Sequence, residues 1–339
     1  MKKLIFSLFV AAVIVFLVFS LSITGCKKTT TEAETKAAET TAAETKAAET
    51  TVVEMKEFTI GYVPMGFGNP HFEHEKNGVL RAIDEEKDIK INYVELDGQW
   101  DPVKESDAME TLIGQKVDGI LISPLVNEPF KPLTQEAHKK GIIVVALDVN
   151  QIGGEDGSVI TDNFKAGQQV GEYVVDRLKG KGTFCILELI GNAEAEKRPA
   201  GFLDIVSKYP DMKLLARQDC KATMEGAMKV TETWLQKFSS IDCIFGVNDP
   251  SGLGALAAVE AAKRQDETFC VGVDGYEEGI NAIREGRNYG CTAQQQPDKI
   301  GYEGAKIMIQ LLKGETPEQL HIMIPTVLIT KDNLDQSSF

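Results

Sequence analysis

Short apolar runs alternate with longer amphipathic stretches along most of the chain after residue 56. The apolar runs suit strands that are buried on both faces, and the stretches between them repeat apolar residues every three or four positions, as helices do. This alternation is typical of parallel βαβ units rather than of a sandwich. The first series predicts strands over residues 58–63, 89–96, 119–122 and 142–147, with helices over residues 75–86, 103–115 and 130–139.

A second series follows the segment at residues 158–162. Together the two series predict an α/β protein with two Rossmann-like, doubly wound parallel-sheet domains. Two such domains leave a cleft between them, and clefts between domains are favoured ligand sites. The second series predicts strands over residues 184–190, 213–218, 241–247, 268–273 and 289–294, and helices over residues 165–178, 198–208, 224–237, 251–263, 280–284 and 297–312.

The N-terminus has a different pattern, which is typical of an export signal. Lys2 and Lys3 precede a run at residues 4–18 that is apolar except for Ser7, and small residues then lead to Cys26. The sequence Ile-Thr-Gly-Cys resembles a bacterial lipobox, so residues 1–25 are predicted to be a lipoprotein signal peptide and Cys26 the lipidated residue. An uncleaved signal anchor is the alternative, since the apolar stretch approaches the length that spans a bilayer.

Residues 26–56 contain a repeated TEAETKAAET-like decapeptide with no aromatic residue. Such a composition cannot bury enough apolar surface to offset the entropy of ordering, so this segment is predicted to be a disordered tether. The tether would hold a folded body away from a membrane surface.

Length and charge limit the possible functions of the remaining 283 residues, 57–339. They exceed what one hydrophobic core usually serves, which again indicates two domains. The first 56 residues carry seven Lys and six Glu, so the rest carries about −16 of the total charge of −15. A strongly acidic body is a poor partner for nucleic acid or anionic lipid.

Beyond Cys26 the chain has five cysteines, an odd number that cannot all pair within one chain. Three of them lie in apolar, strand-like runs, where a thiol behaves as a small buried hydrophobe. No C-x-x-C spacing occurs, which argues against redox catalysis and structural zinc. The five are Cys185, Cys220, Cys243, Cys270 and Cys291.

Several short motifs in the folded part resemble, in order and spacing, the periplasmic sugar-binding proteins of the ribose-binding type, the exported receptors of ABC transporters. The resemblance covers residues 58–334, and each motif alone is weak. The motifs are Asn69-Pro70-His71-Phe72, Val145-Ala146-Leu147-Asp148, Thr161-Asp162-Asn163, Arg198-Pro199-Ala200-Gly201-Phe202, Asn248-Asp249, Val273-Asp274-Gly275 and Gln295-Gln296-Pro297-Asp298.

The resemblance implies the type I periplasmic binding protein fold, with two lobes joined by a three-stranded hinge. The N-terminal lobe would comprise residues 57–161 and 296–324, and the C-terminal lobe residues 162–295 and 325–339. Hinge closure around the ligand is the expected motion.

Ten residues are candidate ligand contacts, nine of them at positions that the resemblance marks and Trp100 because it lies in the loop after a predicted strand. The amide of Asn69 can both donate to and accept from a sugar hydroxyl, and Phe72 and Trp100 offer π faces for stacking. Asp148 and Asp274 follow strands in different domains and can each accept two hydroxyl protons. The other candidates are His71, Glu196, Arg198, Asn248 and Gln295.

These side chains also have purely structural interpretations. Asn69 and the aspartates are suited to capping helices, Phe72 to packing in a core, and His71 to stacking, hydrogen bonding or capping. His71 and His74 are spaced like two metal ligands on a helix, although polar helix starts often look the same. A G-x-G-x-x-A match at Gly252 falls inside a predicted helix, with Asp249 as its predicted N-cap, rather than in a phosphate loop.

Two positions depart from the family pattern. The family often has arginine directly after the residue equivalent to Asp148 and again two residues before the one equivalent to Arg198, where this chain has Val149 and Glu196. Losing two guanidinium groups disfavours ribose itself and leaves open another polyol, a deoxy or amino sugar, or a cationic solute.

The sequence therefore predicts a monomeric, lipid-anchored extracytoplasmic receptor that binds a sugar or polyol and delivers it to an ABC permease. It has no predicted catalytic residue, metal or cofactor. The alternatives are a sugar sensor that docks on a sensor kinase or chemoreceptor, and an exported sugar enzyme, for which no catalytic constellation is present. The export signal and the lack of a helix-turn-helix argue against a LacI-type repressor, although that class shares the fold.

Overall fold

The computed structural model describes residues 55–337, and the predicted signal peptide, Cys26 and nearly all of the predicted tether lie outside this range. Within residues 55–337, no helix is long and apolar enough to cross a membrane. Two six-stranded sheets, each flanked by helices, make up the structure. The predicted two-sheet α/β architecture is confirmed.

The first sheet has the strand order β11-β5-β4-β3-β1-β2, and all its strands are parallel. Its core strand β3 is buried at all four positions, as expected for a parallel strand covered on both faces. The strands are β1 (Glu57–Val63), β2 (Lys90–Glu95), β3 (Gly119–Ile122), β4 (Ile143–Leu147), β5 (Gly157–Thr161) and β11 (His321–Ile324). The helices that connect or cover them are α1 (Pro70–Glu85), α2 (Pro102–Gln115), α3 (Phe130–Lys139) and α9 (Pro297–Lys313).

The second sheet has the order β12-β10-β9-β8-β6-β7 and is parallel except for the edge strand β12. Its strands are β6 (Lys181–Glu188), β7 (Asp211–Asp219), β8 (Cys243–Gly246), β9 (Phe269–Asp274), β10 (Tyr289–Gln294) and β12 (Val327–Thr330). Its helices are α4 (Asn163–Leu178), α5 (Ala193–Val206), α6 (Met224–Lys237), α7 (Asp249–Ala261) and α8 (Glu277–Arg284), and a 3-10 segment (Lys331–Gln336) follows β12.

The chain passes between the sheets at three places, after β5, after β10 and between β11 and β12. Helix α9 follows the second sheet in sequence yet packs against α1 and the first sheet. Thr161 and Gln295, at two of these passages, are joined by a buried hydrogen bond of 2.6 Å from the threonine hydroxyl to the amide oxygen.

Two helix pairs approach at glycines that have no room for a side chain. A Cβ on Gly78 of α1 would lie 1.9 Å from the carbonyl oxygen of Asp298 in α9, and one on Gly167 of α4 would lie 1.9 Å from that of Arg198 in α5. Real Cβ atoms do not come so close, so these crossings require glycine. Each pair includes a helix that carries a candidate ligand residue, and the crossings therefore fix where those helices lie.

Helix α5 begins five residues before the predicted start at Arg198. The Asn192 side chain caps it by accepting from the backbone N–H of Ala195, and Glu194 and Glu196 occupy its first turn, where negative charge suits the helix dipole. Pro199 is accommodated within the helix.

The structure also tests the predictions for the five cysteines and for the G-x-G-x-x-A match. The five cysteines are all free and buried. The glycines of the G-x-G-x-x-A match do lie inside α7, but its N-cap is Asn248 rather than Asp249. Asn248 accepts from the backbone N–H of Ser251 and so takes over the capping role.

Candidate functional site

A cavity of about 230 Å³ lies where the carboxyl ends of the two sheets face each other. This is the place where open α/β sheets bind ligands. Nine of the ten predicted ligand residues line it, all except Glu196. Its other lining residues include Met65, Leu125, Val149, Asn163, Asn192, Glu194 and Tyr276.

Aromatic side chains form one wall of the cavity on the side of the first sheet. Phe72 is buried and packs edge-to-face on Trp100, with 5.6 Å between ring centroids, and on His71, with 5.0 Å. Trp100 is 43% exposed and lies at the rim. Both the ligand and the core interpretations of Phe72 are compatible with this position, because a buried ring that lines a cavity serves both.

Asn69 caps α1 and faces the cavity at the same time. Its Oδ1 accepts from the backbone N–H of His71 at 2.9 Å and from the Tyr276 hydroxyl at 3.4 Å. Tyr276 precedes α8 in the second-sheet lobe, so this last bond crosses the cleft. The capping interpretation of Asn69 is confirmed. Because Asn69 also lines the cavity, the ligand interpretation is compatible with the same position.

His71 and Asp148 form a buried pair at the base of the cavity. The His71 Nε2 lies 2.5 Å from Asp148 Oδ2. Burial lowers the pKa of His71, but the charge and hydrogen bond of Asp148 outweigh it and the pKa is raised. Burial conversely raises the pKa of Asp148, yet the neighbouring groups, His71 first and Arg198 among the others, more than offset this and the pKa is lowered. The pair thus favours imidazolium against carboxylate, a strong charge-assisted hydrogen bond.

Arg198 and Asp274 form the matching ion pair on the opposite wall. Arg198 Nη1 donates to Asp274 Oδ1 at 2.9 Å and to the carbonyl of Val247 at 3.0 Å, and its Nε donates to Asn163 Oδ1 at 2.8 Å. Gln295 Nε2 adds a bond of 2.8 Å to Asp274 Oδ1. Burial raises the pKa of Asp274, and Arg198 opposes the shift only in part.

Both aspartates have backbone angles that L-residues rarely adopt. Asp148 directly follows β4 with φ of 59°, and Asp274 ends β9 with φ of 122°. Such conformations cost on the order of 1–3 kcal/mol each and persist where the surroundings enforce them, often at functional sites. The strain marks equivalent positions in the two lobes.

Asn248 lines the cavity, but most of its amide is already engaged. Its Oδ1 accepts from the backbone N–H and the hydroxyl of Ser251, and its Nδ2 donates to the carbonyl of Ala222 at 3.1 Å. One N–H of the amide has no such bond, so its capacity for a ligand is a single donor.

Glu196 requires a correction, because the structure places it outside the cavity. It is exposed, and its Oε1 accepts from the backbone N–H of Gly191. The early start of α5 turns Glu194 toward the cavity instead, where Asn163 Nδ2 lies 3.4 Å from its Oε2 and Lys197 bonds its Oε1 at 2.7 Å. The acidic character expected at this wall is therefore supplied by Glu194.

Sequence reasoning also missed Asn163 and Tyr276. Asn163 lies within the quoted Thr-Asp-Asn motif, directly after the passage between sheets, and Tyr276 comes two residues after Asp274. Both positions follow a strand end, and that placement was the available signal.

A wider cavity of about 600 Å³ shares Asn69, Trp100 and Tyr276 with the first. It is lined on the second-sheet side by Met224, Pro250, Leu253, Glu277 and Glu278. The shared residues thus stand between the inner cavity and this outer one.

Within residues 55–337, one group of side chains has metal-ligand character, His71 with Glu75 and Asp148. The group does not include His74, so the spacing of His71 and His74 in the sequence did not identify it. Ligands of one tetrahedral zinc lie roughly 3.4 Å apart, given bond lengths of about 2.1 Å. His71 and Asp148 are closer, at 2.5 Å, which suits a direct hydrogen bond.

Several known proteins are similar to this chain in sequence and in fold. The chain is 31% identical to a xylitol-binding protein of Mycolicibacterium smegmatis over 73% of this chain and 71% of that one. It is also 31% identical to a ribose import binding protein of Haemophilus influenzae, over 77% and 87%. A solved ABC transporter periplasmic solute binding protein from Actinobacillus succinogenes, with bound D-allose, superimposes with a TM-score of 0.74 at 26% identity, covering 82% of this chain and 99% of that one.

The family model described as "periplasmic binding protein domain" matches residues 60–316, which include every residue of the cavity and all strands except β11, β12 and the first three residues of β1. The order of strands, the passages between the sheets and the cavity at their carboxyl ends agree with that match. This chain belongs to the periplasmic binding protein family.

Proposed function

We propose that this protein is an extracytoplasmic receptor that binds a sugar or related polyol between its lobes and delivers it to an ABC permease. The observation that carries the proposal is the composition of the 230 Å³ cavity, in which an aromatic wall faces two aspartates from opposite sheets. Aromatic faces suit the C–H surfaces of a sugar ring, and carboxylates held by cationic partners suit its hydroxyls.

The charge of the cavity bears on which solute is bound. Asp148, Glu194 and Asp274 face it together with Arg198 and His71, so acidic groups outnumber basic ones. Val149, at the position where arginine is usual, is buried and packs in the hydrophobic core of the first lobe. This balance favours a neutral polyol or an amino sugar over a ligand that itself carries negative charge.

Binding to a defined panel tests the ligand class. Calorimetry and thermal shift with xylitol, D-ribose, D-allose, myo-inositol and D-glucosamine should give saturable binding and a raised Tm for at least one compound, because a ligand that binds only the folded state stabilises it. Failure of the whole panel, together with no sugar or polyol in a mass spectrum of the purified protein, would reject this class.

Membrane attachment is a separate part of the proposal. Residues 1–25 would be removed as a signal peptide, Cys26 lipidated, and residues 26–56 would tether a monomeric receptor to the membrane. The full chain expressed in a bacterial host should then fractionate with membranes, and Cys26→Ala should release it. Retention of the alanine variant in the membrane would favour an uncleaved anchor.

We further propose that the three passages between the sheets act as the hinge. The lobes would comprise residues 57–161 with 296–324, and residues 162–295 with 325–339. Small-angle scattering should show a smaller radius of gyration with ligand than without it, as hinge closure requires. An unchanged radius would argue against that motion.

A further inference from the structure

Directly behind the cavity, Glu75 of α1 is fully buried. Its Oε1 accepts two hydrogen bonds, from the Tyr62 hydroxyl at 2.7 Å and from the Ser123 hydroxyl at 2.5 Å. Its Oε2 is buried and has no hydrogen-bond partner among residues 55–337. An unpartnered buried polar atom is costly, by about 1–3 kcal/mol and more if it is charged, so this oxygen calls for an explanation.

Glu75, which carries the unpartnered Oε2, adjoins Asp148. One polar atom each of Glu75, Asp148 and His71 lie within 4.8 Å of one another. Asp148 Oδ2 already bonds His71, and an ionised Asp148 can only accept. Two ionised carboxylates placed together would repel, whereas a neutral carboxylic acid has an O–H to donate.

In the part of the chain that the structure describes, Glu75 forms no salt bridge, and its neighbours offer it no cationic partner of its own. Tyr62 approaches from β1, Ser123 from the end of β3 and Asp148 from the end of β4, while Tyr93 on β2 stacks on Tyr62 with 6.4 Å between ring centroids. His71 is already bonded to Asp148.

The proton balance of the two carboxyl groups agrees with this geometry. Burial, and after it the negative charge of the adjoining Asp148, raise the pKa of Glu75 well above its usual value. The pKa of Asp148 is lowered, with His71 as the main cause after the opposing effect of burial. These opposite directions favour a proton on Glu75 over a proton on Asp148.

We propose that Glu75 is a neutral carboxylic acid that donates its proton to Asp148, and that it is a positioning residue which holds the Asp148 carboxylate toward the ligand. The part that concerns the ligand rests on the proposed function. The protonation state does not, since it follows from groups within the first lobe.

NMR of the ligand-free protein with carbon-13-labelled glutamate carboxyl groups tests the protonation state at pH 7. The signal that disappears in Glu75→Gln should lie at the position of a neutral carboxylic acid, apart from the ionised surface glutamates. A signal at the ionised position would overturn the proposal.

The pH titration of the His71 imidazole measures the positioning effect without any ligand. Glu75→Gln keeps one N–H donor for Asp148 and one acceptor for Tyr62 and Ser123, so the His71 titration should match the wild type. Glu75→Leu removes both, and His71 should titrate at a different pH because its partner carboxylate has lost a donor. The same His71 titration in all three proteins would reject the positioning role.

Ligand-binding and metal-binding experiments separate the protonation state of Glu75 from its effect on ligand binding. For whichever of xylitol or D-ribose binds the wild type, Glu75→Gln should stay within about threefold in Kd, and Glu75→Leu should weaken binding about tenfold or more. If neither compound binds the wild type, that failure concerns the proposed function, and the NMR results still decide the state of Glu75. Zinc chloride that raises the Tm of the wild type but not of Glu75→Gln would identify a cation site in place of the shared proton.

Discussion

At the scale of single residues, Glu194 and Glu196 form a natural comparison. They lie two positions apart in the first turn of α5, but Glu194 lines the cavity and Glu196 is exposed. Glu194→Gln should raise Kd for a bound sugar or polyol by roughly threefold to thirtyfold. Hydrogen bonds to charged groups contribute about 1.5–3 kcal/mol, and the amide retains part of that contribution. Calorimetry measures the change.

Glu196→Gln is the matched control for that experiment. It removes the same charge from the same helix turn but no cavity contact, so Kd should stay within about twofold of the wild type. Equal effects of the two substitutions would mean that the net charge of the helix, and not contact with the ligand, accounts for the result.

Asp249 gives a prediction about pH and stability. It is fully buried in the second lobe, where its Oδ1 accepts from the Tyr289 hydroxyl at 2.7 Å and its Oδ2 from the backbone N–H of Tyr276 at 2.8 Å. Burial raises its pKa to about 7. The folded state then binds a proton that the unfolded state has released, so Asp249 makes stability fall as pH rises from about 4 to about 7.

The size of that fall can be measured by urea denaturation at several pH values. One pKa unit corresponds to about 1.36 kcal/mol, so the contribution of Asp249 is of the order of 4 kcal/mol between the two limits. Asp249→Asn should remove this part of the pH dependence, because the amide cannot ionise. Parallel curves for variant and wild type would contradict the assignment.

Residue positions were predictable from sequence where they follow the ends of strands. Asp148 and Asp274 directly follow or end strands of opposite sheets, and both line the cavity as expected. Their role in binding a ligand remains a prediction. The prediction for Glu196 was wrong because α5 begins at Ala193 rather than at Arg198, so Glu196 lies in its first turn, two positions from Glu194 and on another face of the helix.

At the scale of elements, the glycine crossing between α4 and α5 fixes the position of Arg198. Gly167→Ala would place a Cβ 1.9 Å from the carbonyl oxygen of Arg198, and the helices would have to separate. Overpacking of this kind costs about 1–3 kcal/mol. The variant should therefore have a lower Tm, and it should bind ligand more weakly because Arg198 moves with its helix.

A second glycine separates this effect from helix propensity. Gly114 of α2 is exposed and has nothing within 4 Å of an added Cβ. Gly114→Ala should stabilise the protein by up to about 1 kcal/mol, as alanine favours a helix over glycine. A Tm for Gly167→Ala at or above that of the wild type would show that the crossing tolerates a side chain.

Most elements could be predicted from the sequence because buried parallel strands appear in it as short apolar runs. The bounds of β3, α3, α6 and β10 agree with those predicted. Strands β11 and β12 were not predicted as strands, since they are edge strands of four residues whose positions are only partly buried. Short edge strands lack the fully buried pattern by which the core strands are identified.

At the scale of the whole molecule, the assignment of α9 to the first sheet illustrates what local patterns do not contain. The apolar spacing of residues 297–312 predicts a helix but does not say which sheet it covers. The family resemblance implied the first lobe, and the structure packs α9 on α1 and on β4 and β5. That placement depends on long-range contacts, among them the glycine contact between α1 and α9.

The bond from the Tyr276 hydroxyl to Asn69 Oδ1 joins the lobes across the cleft, and at 3.4 Å it is a weak one. If the lobes close on a ligand as proposed, this bond forms only in the closed state and would stabilise that state over an open one. Tyr276→Phe removes it and leaves the ring in place. We expect ligand to dissociate about twofold to fivefold faster, in keeping with a hydrogen bond that contributes about 0.5–1 kcal/mol, while the association rate changes less.

Stopped-flow fluorescence of Trp100, at the rim of the cavity, can follow both rates. Tyr302→Phe is the control, because the Tyr302 hydroxyl bonds Glu85 at 2.7 Å within the first lobe and does not cross the cleft. That variant should dissociate at the wild-type rate. If Tyr276→Phe also dissociates at the wild-type rate, the bond does not contribute to closure. If instead its association slows while dissociation is unchanged, Tyr276 acts on the entry of ligand from the outer cavity, which it also lines.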